Sequence, residues 1–300
     1  MLIIEKFDKE IALHLFSNYK EKEKLVASMS TLSHIRIPAF LATSRIAEDS
    51  AIQKEFRGAG SVLRRETSWG FIEIRDTLLG QDDALIFLAL MATKKNVNIG
   101  KYPSHPDHIS IDISLNKIAR ILNIGVDGRS LKRILNSIKK IKNMTIIREK
   151  VNSGKTYKII ERVLEHTSTN NKNSYTIVLG AGFYEELKNT LTINFEARLK
   201  EINDIKGSGR GYIQSIIIHF LSHEASIDNQ QNISLPVLFL ALGINKEDKG
   251  KAILAINRNI DQLQKFGIYF IDKGLEKRTL VYTGTHEVFF IPVPKSKIKT

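Results

Sequence analysis

One ordered unit of this chain occurs twice. Ser114-Leu115 returns as Ser234-Leu235, 120 residues later, and each pair opens a run at helical spacing. Leu131, Ile134, Ile138 and Ile141 return as Ile253, Ile256, Ile260 and Leu263, all 122 residues later. The two-residue difference falls in the turn between the helices, where insertions are tolerated. Any two amphipathic helices share some apolar matches, but a whole recurring order of elements requires each copy to build the same kind of packed unit.

The order is helix, turn, helix, hairpin. In the first copy, residues 82–95 read as a helix with acids at its start and lysines at its end, as a helix dipole favours. HISIDI (108–113) alternates like a strand, Ser114 caps LNKIARIL, and NIGVDG (123–128) is a turn. Residues 129–142 form a second helix, with Leu131, Ile134, Leu135, Ile138 and Ile141 on one face. Residues 144–150 and 157–165 read as a hairpin. The second copy has helices at 210–224, from Leu235, and at 249–267, then a hairpin of 268–272 with 279–283. Upstream, Ile4, Phe7, Ile11, Leu15 and Phe16 predict an amphipathic helix before the charged run at 20–24, and residues 30–68 read as loop-rich. The expected fold is α+β: two tandem winged helix-turn-helix domains, 58–190 and 191–300, with a helical N-terminal extension at 1–57.

Charge says what such units touch. Among 300 residues, Lys and Arg number 45 and Asp and Glu 32, a net +13. Residues 93–150 hold 13 of the bases against four acids, Asp107, Asp112, Asp127 and Glu149. A local excess of this kind favours a polyanion, with nucleic acid ahead of an anionic membrane surface. A lysine-rich solvated face used only for protein contact is the bland reading. The second helix of a helix-turn-helix fits the major groove, and a hairpin can follow the backbone. With the apolar stripe of 129–142 turned inward, Arg129, Lys132, Arg133, Asn136, Lys139 and Lys140 are left outside, and no acid lies among them. Arg and Asn suit base edges, and Lys suits phosphate. Lys155 at the hairpin tip and Lys249, Lys251, Asn257 and Arg258 in the second copy complete the DNA-binding set. Residues 246–265 carry five bases and three acids, so the first copy bears more of the electrostatic load.

At these residues the sequence resembles the TrfA-type plasmid replication initiators. LLGQDDALIFLALM (78–91) is similar to the helix opening that family's first domain. SLNKIARILNI followed by GRSLKRILNSIKKI resembles its first helix-turn-helix. YTIVL, then Ile193, Phe195, Glu196, Arg198 and Leu199, resembles the stretch between domains, and IHFLSH (218–223) the second leading helix. The resemblance covers about 58–283. It implies a bacterial, cytoplasmic protein that binds direct DNA repeats (iterons) at a plasmid origin. It further implies strand opening, recruitment of host replication proteins (initiator, helicase or sliding clamp), and a switch between a homodimer and a monomer. A transcriptional repressor on the same fold is the alternative, and an RNA-binding or scaffolding protein is a third class.

Other chemistry finds little support. The chain has no cysteine, which excludes disulfides, Cys-ligated zinc and thiol catalysis. The longest apolar run, 84–92, is about half of a bilayer span. Gly154-Lys155-Thr156 lacks the glycine a P-loop needs at 149, which is Glu. Gly207, Gly209 and Gly211 read as a flexible linker ahead of an anion nest. His219 and His223 stand i, i+4 without a third ligand and read as polar-face histidines. Gln262 to Phe266 resembles a sliding-clamp peptide, but Leu263 belongs to the core stripe. We expect no enzyme activity, no cofactor and no metal.

Overall fold

The computed structural model describes residues 29–31, 39–67, 70–92, 97–99, 109–152, 155–171, 174–180, 192–194, 196–223, 230–271, 278–283 and 289–291. The helix expected at 4–28 lies outside these residues. The chain is α+β, with nine helices and four small antiparallel sheets among the described residues.

The first unit opens with α1 (Ala51–Gly58), β2 (Val62–Thr67) and β3 (Gly70–Arg75), so the stretch expected to be loop-rich carries a helix and a strand. α2 (Gln81–Ala92) follows, then β4 (Val97–Ile99), β5 (Ile109–Ser114), α3 (Leu115–Ile121) and α4 (Gly128–Asn143). β6 (Thr145–Asn152), β7 (Lys155–Arg162), β8 (Leu164–Asn171) and β9 (Ser174–Leu179) close it. All twelve residues of α2 are buried. After its two acids the helix is apolar on every side, which suits a helix enclosed by the core.

β10 (Thr192–Asn194) pairs with β1 (Met29–Thr31) and β14 (Phe289–Ile291). α5 (Glu196–Asp204) leads into the second unit: α6 (Arg210–Leu221), β11 (Gln231–Ser234), α7 (Leu235–Ala241), α8 (Lys249–Arg258), α9 (Ile260–Gln264), β12 (Ile268–Ile271) and β13 (Thr279–Tyr282). The single helix expected over 249–267 is broken at Asn259 (φ −127°, ψ 27°), whose Nδ2 donates to the Ala255 carbonyl at 2.8 Å. This back-bond to the preceding turn lets the backbone leave the helical path.

The duplication holds at the level of hydrogen bonds. α3 ends with Ile124 N–H donating to Ala119 O and Asn123 N–H to Arg120 O, around a left-handed Asn123 (φ 53°). At 120 residues' distance α7 ends with Ile244 N–H donating to Phe239 O and Gly243 N–H to Leu240 O, around a left-handed Gly243 (φ 63°). Both are Schellman closures, and they turn each chain toward the following helix.

The hairpins depart from the expectation. In the second unit the strand order is β11-β13-β12, with Ser234 opposite Thr279. The matching order in the first unit is β5-β9-β8, with Ser114 opposite Ser174. The hairpin after α4, expected to be the wing, is β6–β7, and it extends β2–β3 into a separate four-stranded sheet instead. Leu63, Ile74 and Ile146 stand opposite one another across that sheet and are all buried, which fixes its register. The first unit therefore carries an extra hairpin between its second helix and the β8–β9 pair.

α5 holds the units together. Asn203 Nδ2 donates to Leu122 O at 2.7 Å, and Gln214 Nε2 donates to Ile202 O at 3.0 Å. Arg198 is buried, stacks 4.5 Å from the Phe266 ring centroid and donates to Lys265 O. One continuous apolar core runs from Ala39 to Tyr282 through both units.

Candidate nucleic-acid interface

α4 forms because its apolar positions repeat at helical spacing and Asp127 caps it, accepting from Arg129 N–H at 2.9 Å and Ser130 N–H at 3.0 Å. Those bonds, from Ser130 first, hold the Asp127 carboxyl below the usual aspartate range. Ile134, Ile138 and Ile141 are buried, with Leu131 and Leu135 packed partly against the core. The opposite side exposes Arg129, Lys132, Asn136, Lys139 and Asn143, spaced i, i+3, i+7, i+10 and i+14. That spacing makes one stripe along the helix, basic and amide-bearing.

Arg133 and Lys140 are placed differently. With Ser137 they form a flank at i, i+4 and i+7 that meets the start of α2. Arg133 Nη2 lies 2.8 Å from Asp82 Oδ2, Lys140 Nζ lies 3.9 Å from Asp83 Oδ2, and the buried Ser137 hydroxyl donates to Asp83. Burial lowers the Arg133 pKa, and Asp82 opposes that shift. The two acids read as a helix-dipole signal thus also hold one edge of α4 to the core. Sequence reasoning missed this because Asp82 precedes Arg133 by 51 residues.

Asp82 carries more than Arg133. Arg45 Nε donates to it at 2.9 Å, and Arg210 Nη2 bonds both its oxygens at 2.8 and 2.9 Å. Arg210 Nε also reaches Ser44 Oγ at 3.1 Å. Arg45 and Arg210, neither of them singled out from sequence, line a cavity of about 560 Å³ with Ala42, Thr43, Ser44, Gly209, Gly211 and Tyr212. The glycines here are not slack linker. A Cβ on Gly211 would fall 2.3 Å from Ser44 N, and one on Gly209 2.6 Å from the Ala255 Cβ on α8. Gly209 also takes φ 78°. Residues 43–45 thus run as a strap against the starts of α2 and α6, with Gln81 N–H donating to Thr43 O at 2.8 Å.

On α8, Lys251, Asn257 and Arg258 are exposed with Leu254, while Lys249 is half-buried. Lys251 pairs with Asp248 at 2.8 Å, which spends part of its charge locally. Lys155 begins β7 opposite Asn152, in the β2–β3 sheet and apart from β5. His219, expected on a polar face, is buried, and its ring centroid lies 4.8 Å from that of His223. Leu263 and Phe266 are buried, as the core reading requires. Among the described residues no group of three or more His, Asp or Glu is placed to hold a metal, and no helix is long and apolar enough to cross a membrane.

No family model and no curated protein matches the sequence. Solved structures do. The crystal structure of domains 2 and 3 of RctB, as selenomethionine derivatives, superposes with a TM-score of 0.53 over 84% of this chain and 97% of its own, at 15% identity. This chain has the fold of those domains. A second crystal structure of RctB domains 2–3 aligns over 73% of this chain at 14% identity, with a TM-score of 0.45. The likeness is to RctB and does not single out the TrfA-type family.

Proposed function

We propose that the chain is a DNA-binding replication initiator whose two units are winged helix-turn-helix domains, bounded near 58–190 and 191–300. The observation that carries this reading is the exposed stripe of α4: Arg129, Lys132, Asn136, Lys139 and Asn143 on the second helix of a duplicated helix-turn-helix. Such a helix fits a major groove, its guanidinium and amides suit base edges, and its lysines suit phosphates. The shared fold supports the reading, since RctB is itself a replication initiator. In this proposal the chain binds direct repeats at a bacterial plasmid origin, promotes strand opening and recruits host replication proteins. It catalyses no reaction itself and works in the cytoplasm.

The test is a footprint of a monomeric preparation on the native replicon. Two reading helices on one face of B-DNA need grooves about 34 Å apart, so one chain should protect about 20 base pairs of non-palindromic sequence. Lys139→Ala should weaken binding to all sequences and reduce the salt slope by about one. Arg258→Ala should shorten or weaken protection in the half facing α8. Protection of one short palindrome would favour a repressor, and preference for single-stranded RNA would end the DNA reading. Metal-dependent nicking by the clean protein, lost with His219→Ala, would refute the absence of catalysis.

A further inference from the structure

Three guanidiniums, from Arg45, Arg133 and Arg210, share the single carboxylate of Asp82. Asp83 also acts on Arg133 but brings Lys140 beside it, so the two carboxylates still face four bases. The cluster therefore holds an excess of positive charge beside a cavity of about 560 Å³. Arg45 is the least committed member: its side chain is 68% exposed and gives Asp82 only its Nε. Ser44 contributes a hydroxyl to the same wall.

The place of the cavity gives it meaning. Through Asp82, Arg210 is tied to Arg133 on α4. On the other side, Gly209 abuts Ala255 of α8, and Tyr212, its phenol pKa pushed up to about 12 by burial and by Asp248, touches the cap position of that helix. The cavity thus lies between the two helices assigned to reading DNA. A duplex that takes these helices in two successive major grooves must present its backbone between them, and a guanidinium with spare N–H groups matches a phosphate's oxygens.

We propose that Arg45, backed by Arg210 and Ser44, forms a phosphate clamp that grips the DNA backbone between the α4 and α8 contacts. The inference rests on the DNA-binding reading above and adds a contact outside both helices. Arg210 is positioned by Asp82, and Arg45 makes the contact itself. The shared ligand chemistry is a phosphate oxyanion, which free nucleotide also offers, and the test separates the two sources.

The experiment compares wild type, Arg45→Ala and Arg45→Lys on the duplex recovered by footprinting, and on copies bearing one neutral methylphosphonate at successive positions. Arg45→Ala should flatten the salt slope by about one unit, so that wild type loses about 3–4-fold more affinity than the variant between 50 and 200 mM salt. Arg45→Lys should restore most of that slope. Wild type should weaken at one or two methylphosphonates near the middle of the protected stretch, and Arg45→Ala should be indifferent to them. If wild type footprints normally and Arg45→Ala keeps its slope and its methylphosphonate profile, the clamp is wrong and the DNA reading stands. If wild type binds no duplex, both fail. Saturable calorimetric binding of ATP or inorganic phosphate that is lost in Arg45→Ala, with DNA binding unchanged, assigns the cavity to a free phosphate ligand and overturns the clamp.

Discussion

Asp82→Asn removes the one negative charge that three arginines share, while nearly preserving its shape. The Asp82 side chain is 6% exposed, and its partners Arg210, Arg133 and Arg45 are 25%, 37% and 68% exposed. Breaking a fully buried ion pair costs about 3–5 kcal/mol, because a charge is left without compensation. The exposed Arg45 adds little, as surface pairs contribute about 0–1 kcal/mol. Arg210, mostly buried and bonded to both oxygens, carries most of the loss, and Arg133 recovers part of its solvation. The expected destabilisation is therefore about 2–3 kcal/mol. Asparagine also turns an N–H toward a guanidinium, so geometry does not rescue the variant. Urea unfolding followed by far-UV circular dichroism reads the loss as a shift in midpoint. A double-mutant cycle with Arg210→Met assigns it, and the coupling should exceed about 1 kcal/mol because the residues are in direct contact. The freed arginines should at the same time steepen the salt dependence of non-specific DNA binding by up to about one unit. A loss below about 0.5 kcal/mol with no coupling to Arg210 would refute the claim that this carboxylate joins α2, α4 and α6.

Gly211→Ala should destabilise by about 1–3 kcal/mol, since its Cβ would press on backbone atoms of Thr43 and Ser44 that cannot rotate away. Gly250→Ala, with nothing within 4 Å of the new Cβ, should instead stabilise α8 by about 0.5–1 kcal/mol, and thermal unfolding of the pair checks both signs. Asp127→Ala should lower the unfolding midpoint and speed amide exchange at Arg129 and Ser130. Because the native Asp127 pKa is depressed, its contribution is complete above the ordinary 3.8 and fades as pH falls through the native value, so the gap between wild type and variant should close in acid. Leu263→Ala should cost about 2–5 kcal/mol as a core truncation, and an unchanged stability would contradict its burial in the second unit.

The sequence by itself determined what depends on near neighbours. The apolar positions of α4 at helical spacing and the 120-residue recurrence of Ser114 at Ser234 are local patterns, because helical period acts within one or two turns. The basic stripe of α4 was legible for the same reason, as it is what remains when the apolar face turns inward. Capping was less legible: Ser114, expected to cap, precedes its helix without a side-chain cap bond, and the Asp127 cap emerged only with the structure. Only tertiary structure decided which partners these elements take. The run at 144–150 shows that a strand exists, but not which strand edge it meets, so the β6–β7 hairpin joined β2–β3 while β8–β9 took the place beside β5. Arg133 looks as free as Lys132 on a helical wheel. It is tied down because folding brings Asp82 to 2.8 Å from it, and Arg210 to the same oxygens from 128 residues away. Gly209 and Gly211 look like slack linker in sequence, and they became close-packed because Ala255 of α8 abuts the first and the strap at 43–45 runs across the second. Charge and periodicity are properties of a segment, whereas ion pairing, strand choice and close approach belong to pairs of segments that only the packed core brings together.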